Sequence, residues 1–258
     1  MSKLLFTLIL LLSICSCISK KKLTYFQSNK FSKNSPTLIE NKRPEYKIQP
    51  NDILSIRVVS NLDNTTPNIF NLDAVAAGGG INPAANFYVT GYSVDEQGFI
   101  TIPTIGRLKV TNQTVSQVST LVQQNVDKYL NNATVVIKLV SFKVSVLGDV
   151  RSPGYYYVYN EQVTLPEVLA LAGDLTQNGS RKNIKLIRQN PNGLEVVLLD
   201  LTDPNIIKSP YYYLLPNDVV YIQPMKAAIS RSNLAPLGTF FGAVSAVILV
   251  LNYFNPNR

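Results

Sequence analysis

Tyr46-Lys47-Ile48-Gln49-Pro50-Asn51-Asp52-Ile53-Leu54-Ser55-Ile56-Arg57-Val58 sets a Pro-Asn-Asp turn between two apolar alternations. Proline presets a turn-compatible φ, and Asn and Asp side chains bond nearby backbone amides, so the stretch predicts a strand-turn-strand unit. Its spelling returns late in the chain. Tyr46-x-x-x-Pro50-Asn51-Asp52-Ile53-Leu54-x-Ile56 is echoed by Tyr212-x-x-x-Pro216-Asn217-Asp218-Val219-Val220-x-Ile222. Two modules therefore enter a buried strand through one kind of turn. The copies are too short to be a solenoid repeat.

Between the copies the pattern alternates strand and helix. The segment 61–90 is rich in Asn, Thr and Pro and contains Gly78-Gly79-Gly80, which marks a long insertion. No Lys-Ser/Thr follows those glycines and no helix opens there, so they form a loop and not a phosphate cradle. Strand character resumes from Gly91 to Pro103 and from Gly106 to Val110. Val115, Val118, Val122, Val126 and Tyr129 then fall on one helical face, behind a Thr114/Gln117 capping box. Thr134 to Ser141 reads as a buried strand, and Phe142, Val144 and Val146 alternate with Lys143 and Ser145 in the next one. Thr164-Leu165-Pro166-Glu167 opens a short helix with Val168, Leu169, Leu171 and Ala172 as its apolar face and Gly173 ending it. Ile184 to Ile187 and Glu195 to Leu199 are strands joined by the Asn190-Pro191-Asn192-Gly193 turn.

The two ends differ from this body. Lys3 and the apolar run Leu4 to Leu12 have the length of a secretory signal and not of a membrane span. The run ends in Ser13-Ile14-Cys15-Ser16-Cys17, which resembles the signal of bacterial lipoproteins, and small Ser16 favours Cys17 as the acylated residue. An ordinary cleaved signal that happens to contain cysteines is the alternative. Residues 18–44 are rich in Lys, Asn and Ser and read as a flexible tether. At the other end no charge occurs between Arg231 and Arg258, and 21 residues from Leu234 to Phe254 would span about 31 Å as a helix. Gly238, Gly242 and Ala246 form a small-residue stripe on it, suited to close helix packing. A buried hydrophobic helix is the competing reading.

The chain resembles a known family through Tyr46 to Val58 together with Val94-x-x-x-Gly98-x-Ile100-x-Ile102-Pro103-x-Ile105-Gly106. These are similar to the polysaccharide-export domain of Wza-type outer-membrane proteins. Val146-Leu147-Gly148-Asp149-Val150-x-x-Pro153-Gly154-Tyr155, Ala172-Gly173, Asn183-Ile184-x-Leu186-Ile187-Arg188 and Leu215 to Val220 look like a SLBB domain. The resemblance implies an α+β fold. A signal peptide (1–17) and tether (18–44) precede a β-rich polysaccharide-export domain (45–141). A β-grasp-like SLBB domain (142–226) and a C-terminal membrane-helix segment (227–258) follow. It further implies a homo-oligomeric ring anchored in outer-membrane lipid, with its main body in the periplasm. The ring would pass a polysaccharide and meet an inner-membrane co-polymerase, often a tyrosine autokinase. One SLBB module implies a short vestibule.

Composition narrows the chemistry. The chain has no histidine, which removes the commonest general base and the commonest metal ligand. With Cys17 acylated and Cys15 removed, no thiol remains for a disulfide or a metal. Asp95 and Glu96, adjacent on an expected strand, would point to opposite faces and cannot act as a carboxylate pair. No enzyme, cofactor or metal site is expected. Lys and Arg exceed Asp and Glu by eight (24 against 16). Export makes nucleic acid the poorest partner for that surplus and leaves an anionic membrane surface, an acidic polymer or a merely solvated surface. Tyr155, Tyr157, Tyr211 and Tyr213 are the candidate polymer-facing aromatics, although tyrosine also packs well on pleated surfaces. Two other functions fit the same residues: a glycan- or ligand-binding lipoprotein that forms no channel, and an adaptor between envelope proteins.

Overall fold

Both Pro-Asn-Asp stretches fold into the same turn, because Asn tolerates the left-handed backbone that each requires. Asn51 has a φ of 71° and Asn217 a φ of 66°. In this computed structural model, which describes residues 23–28, 31, 34–60, 90–190, 193–226, 240–248 and 250, each turn feeds a strand. The arm ahead of the first turn is not a strand. Ile48 is instead held as a single extended residue: its N–H donates to Gln113 O at 2.9 Å, and its carbonyl accepts from the Asn112 N–H at 3.0 Å. Only a short loop is available to pair with it, so the expected first strand of the unit never forms.

Strand β1 (Ile53–Ser60) lies antiparallel to the short β2 (Tyr92–Ser93). A hairpin of β3 (Phe99–Ile102) and β4 (Gly106–Lys109) follows, then helix α1 (Val115–Val126). Strand β5 (Ala133–Leu139) returns along the other side of β1. Register places Leu54, Ile56 and Val58 opposite Leu139, Ile137 and Val135, and α1 covers them with Val118, Val122 and Val126. The capping box is formed in both directions: Thr114 accepts from the Gln117 N–H, and Gln117 accepts from the Thr114 N–H. Two expectations need correction. β5 is not buried on both faces, since Thr134, Val136 and Lys138 alternate outward to solvent. Tyr129 is 56% exposed because it lies beyond the helix end at Asp127.

The second core begins with β6 (Lys143–Gly148), β7 (Gly154–Tyr157) and β8 (Val163–Thr164), which leads straight into α2 (Leu165–Leu171). It continues with β9 (Gly179–Asn190), β10 (Gly193–Leu199), a 3-10 turn (Pro204–Lys208), β11 (Tyr213–Leu214) and β12 (Val219–Pro224). Five strands make a mixed sheet in the order β10-β9-β12-β6-β7, with the first and last strands parallel at its middle. Helix α2 lies on one face and buries Leu165, Val168 and Leu169 in the same cluster as Val144, Val146, Ile184, Leu186, Val220 and Ile222. Leu171, expected on that apolar face, is 54% exposed. Gly173 does end the helix, with a φ of 74°.

Residues 25–27 of the stretch expected to be a core-less tether are engaged with this second core. Tyr25 and Phe26 pack against it, the Phe26 and Gln27 N–H groups donate to Leu201 O and Thr202 O at 2.8 Å, and the Tyr25 hydroxyl bonds Asp174. Aromatic residues inside a polar stretch find apolar cover here, which composition alone does not register. Residues 240–248 and 250 are helical. Among the described residues no helix is long and apolar enough to cross a membrane, and the rest of Leu234 to Phe254 lies outside them. The insertion 61–90 lies almost wholly outside them as well.

Candidate functional site

The two turns fix their aspartates alike. Asp52 accepts the Gln49 N–H at 2.9 Å and Asp218 the Leu215 N–H at 2.7 Å, each closing its turn from three residues ahead. Their remaining partners differ. Asp52 accepts the Tyr46 hydroxyl at 2.8 Å and the Ser141 hydroxyl at 3.2 Å, while Ser141 itself accepts the Ile53 N–H at 3.1 Å. Asp218 meets Arg188 at two points, Nε to Oδ1 at 3.0 Å and Nη2 to Oδ2 at 2.7 Å. Burial pushes both carboxyls above the ordinary range, against the pull of those bonds. Burial and then the Asp52 charge also push the Tyr46 phenol up, with Asp218 adding to it.

Tyr46 bonds the first turn and shares a cleft lining with Pro216 of the second, and Leu139 packs against both cores. The junction leaves a cleft of about 640 Å³. Its lining includes the start of α1, with Thr114, Ser116 and Ser119, the loop Tyr159 to Gln162, and Tyr213 to Pro216. Arg43 closes part of the rim by donating to the Gln162 side chain at 2.7 Å.

The expected site residues are scattered across the fold. Tyr155 and Tyr157 share the sheet face turned away from α2, opposite Ser145 and Lys143, with ring centres 5.9 Å apart and edge-on. Tyr156 between them faces the core and donates to Ser152 O. Tyr211 is engaged elsewhere: its hydroxyl donates to Glu195, and the Arg188 guanidinium lies 5.4 Å from its ring centre. That bond, with a second from Asn190, holds the exposed Glu195 carboxyl below its ordinary range. Tyr213 alone of the four lines the cleft. Gly242 and Ala246 lie in the helical stretch 240–248 and are exposed; a Cβ at Gly242 would meet nothing within 4 Å. Cys17 and Gly238 lie outside the described residues.

Asp95 also departs from expectation. It lies in the turn between β2 and β3 and not on a strand, accepts the Phe99 N–H at 2.8 Å and the Gln97 N–H at 3.0 Å, and pairs with Arg107 at 2.7 Å. The bond from Phe99 leads in holding its carboxyl low. The group serves the hairpin. Tyr159, in contrast, ends the tyrosine run that begins at Tyr155, sits in the polar loop Tyr159-Asn160-Glu161-Gln162 and is 77% exposed.

Residues 40–140 match the family model described as polysaccharide biosynthesis/export protein, and residues 143–198 match the SLBB domain. Over 155 residues the chain is 29% identical to the EPS I polysaccharide export outer membrane protein EpsA of Ralstonia nicotianae. That alignment takes in 57% of this chain and 39% of the relative, so the chain spans about two fifths of that protein's length.

Proposed function

We propose, starting from a chain that carries a polysaccharide biosynthesis/export domain followed by an SLBB domain, that it serves polysaccharide export at the outer membrane as one subunit of an oligomeric conduit. The observation that carries this is the order of the two matched segments, which together run from residue 40 to residue 198. The chain's similarity to a polysaccharide export outer membrane protein of Ralstonia supports it. The mixed sheet with α2 laid on one face agrees with a β-grasp-like module over 142–226, behind an export module over 45–141.

In this arrangement Cys17 carries the lipid anchor, and the apolar segment from Leu234 to Phe254 inserts in the membrane. There Gly238, Gly242 and Ala246 let neighbouring copies approach closely. The polymer is driven by other machinery, for which an inner-membrane co-polymerase is the fitting partner. Specificity then rests with ring diameter and lumen chemistry and not with catalysis.

Electron microscopy of the full chain purified in mild detergent tests the assembly, and surface polysaccharide on a deletion strain tests the function. Rings together with lost export support the conduit. A monomer favours a glycan-binding lipoprotein, and normal export with a co-purifying inner-membrane partner favours an adaptor. Mass spectrometry of the mature N-terminal peptide tests Cys17; an unmodified N-terminus further downstream removes the anchor. Gly242→Leu is expected to reduce ring recovery from membranes while leaving the periplasmic body folded.

A further inference from the structure

We propose that the cleft between the two modules is a carbohydrate subsite that takes an uncharged stretch of the exported polymer. The proposal rests on the export function and deepens it by naming where the chain touches its cargo. A sugar ring offers a C–H face and a rim of hydroxyls, so a site for it needs an accessible aromatic surface beside neutral donors and acceptors. Both are present. Tyr159 and Tyr213 come from the two separate tyrosine runs and line the same cleft, and Tyr159 is 77% exposed. A tyrosine ring is an apolar surface with a polar tip, and leaving one this open in a polar loop gains nothing for the core. The same lining includes Ser116, Ser119 and Asn160, which donate and accept without charge.

Size and charge narrow the ligand further. About 640 Å³ falls within the range of small-ligand clefts, roughly 300–1,000 Å³. The charged side chains on the lining are Arg43, Lys138, Glu45 and Glu161, two of each sign, so the chain's basic surplus is not directed here. A polyanionic segment would meet as much repulsion as attraction. Parts of the lining are held in place: Tyr46 donates to Asp52, Leu139 packs against both cores, and Arg43 donates to Gln162 in the loop that carries Tyr159. A preformed cleft binds without spending its interactions on ordering itself. Passage requires weak contact, since a site that a polymer must leave cannot hold it tightly. Affinity for a short fragment is therefore expected on the order of millimolar.

The test uses the full chain in mild detergent and, as probe, oligosaccharides made by partial hydrolysis of the polymer that the producing cells export. Binding is read by saturation-transfer NMR and titration. Wild type is expected to bind with little dependence on salt, and Tyr159→Ala to weaken binding about tenfold, the loss of one aromatic platform. Asn160→Ala should weaken it less, and Tyr129→Ala, an exposed tyrosine beyond the end of α1 and away from the cleft lining, not at all. Unchanged melting temperatures establish that the exposed-site variants are folded. The subsite is overturned if wild type does not bind, if Tyr159→Ala binds as wild type does, or if Tyr129→Ala loses as much. Affinity that collapses with added salt overturns the preference for uncharged sugar. Normal export by a deletion strain would strike at the export function itself, whereas lost export with an indifferent Tyr159→Ala strikes only at the subsite.

Discussion

Asp52 and Asp218 close equivalent turns with equivalent bonds, yet hydroxyls meet the first and a guanidinium meets the second. Both are nearly inaccessible, at 2% and 0% exposure. Identical local spelling has been built into two different buried networks, and the two should respond differently to the same substitution.

Removing Asp218 leaves Arg188 as a buried cation without its carboxylate. Asp218→Ala is expected to cost about 3–5 kcal/mol, the usual penalty for breaking a buried pair from one side. Replacing both residues, as Asp218→Leu with Arg188→Met, should recover much of that loss, because no charge then remains uncompensated. The Leu215 N–H still lacks its acceptor, so recovery stays incomplete. Urea unfolding of wild type, the single variant and the double variant measures this. A single-variant cost under about 1 kcal/mol would mean that the pair is not buried as described.

Asp52 makes a prediction about pH. Burial raises its carboxyl in the folded chain, so the folded state binds its proton more tightly than the unfolded state does. Where the folded form holds more protons, stability falls as pH rises. The Asp52 contribution should therefore be greatest at acid pH and decline from about pH 4, the ordinary carboxylate value, until the folded group has titrated; above that it is flat. Asp52→Asn should remove this slope while keeping an acceptor for the Gln49 N–H and the Tyr46 hydroxyl. The unfolding free energy of wild type minus that of the variant is the readout against pH. A difference that grows as pH rises would show that the anion is the favoured form.

What the sequence made legible was local. Both capping boxes, the Val118-Val122-Val126 face and the twin turns follow from residues within a few positions of each other. The parallel pairing of β12 with β6 joins strands some seventy residues apart and leaves no periodic trace. Asp95 was assigned to a strand because the alternation around it is apolar, while its own short side chain bonds the backbone and forms a turn. The cleft was the least legible feature. Its walls come from the start of α1, the loop after β7 and the segment around β11, and no one of these carries a signature alone. Tyr159 was the available signal: an aromatic in a run of polar loop residues has no core to explain it.

The N-terminal stretch offers a direct contrast between a tether and a docked segment. The Phe26 and Gln27 N–H groups bond Leu201 O and Thr202 O, and Tyr25 lies with its ring 5.8 Å from the Arg181 guanidinium. In the full chain, hydrogen exchange over residues 23–28 is expected to be slowed well below the rate of an unstructured peptide. Tyr25→Ala removes the ring contact and the bond to Asp174, and exchange there should accelerate at least tenfold while β9 and β12 stay protected. Unstructured rates in the wild-type chain would restore the tether.

Two glycines separate the cost of backbone conformation from the cost of crowding. Gly148 has a φ of 91° and Gly106 a φ of 93°, so alanine at either meets similar strain, about 1–2 kcal/mol. Their surroundings differ. A Cβ on Gly106 would meet nothing within 4 Å, whereas one on Gly148 would lie 2.1 Å from the carbonyl oxygen of Ile222. That oxygen belongs to β12 at the centre of the sheet and accepts the Asp149 N–H at 3.0 Å, so it cannot withdraw without opening the pairing of β6 with β12. Gly148→Ala should therefore lose clearly more stability than Gly106→Ala, by roughly 2 kcal/mol or more, or fail to accumulate as folded protein. Thermal unfolding of the two variants side by side gives the answer. Equal losses would mean that β6 and β12 do not approach as closely as their register requires.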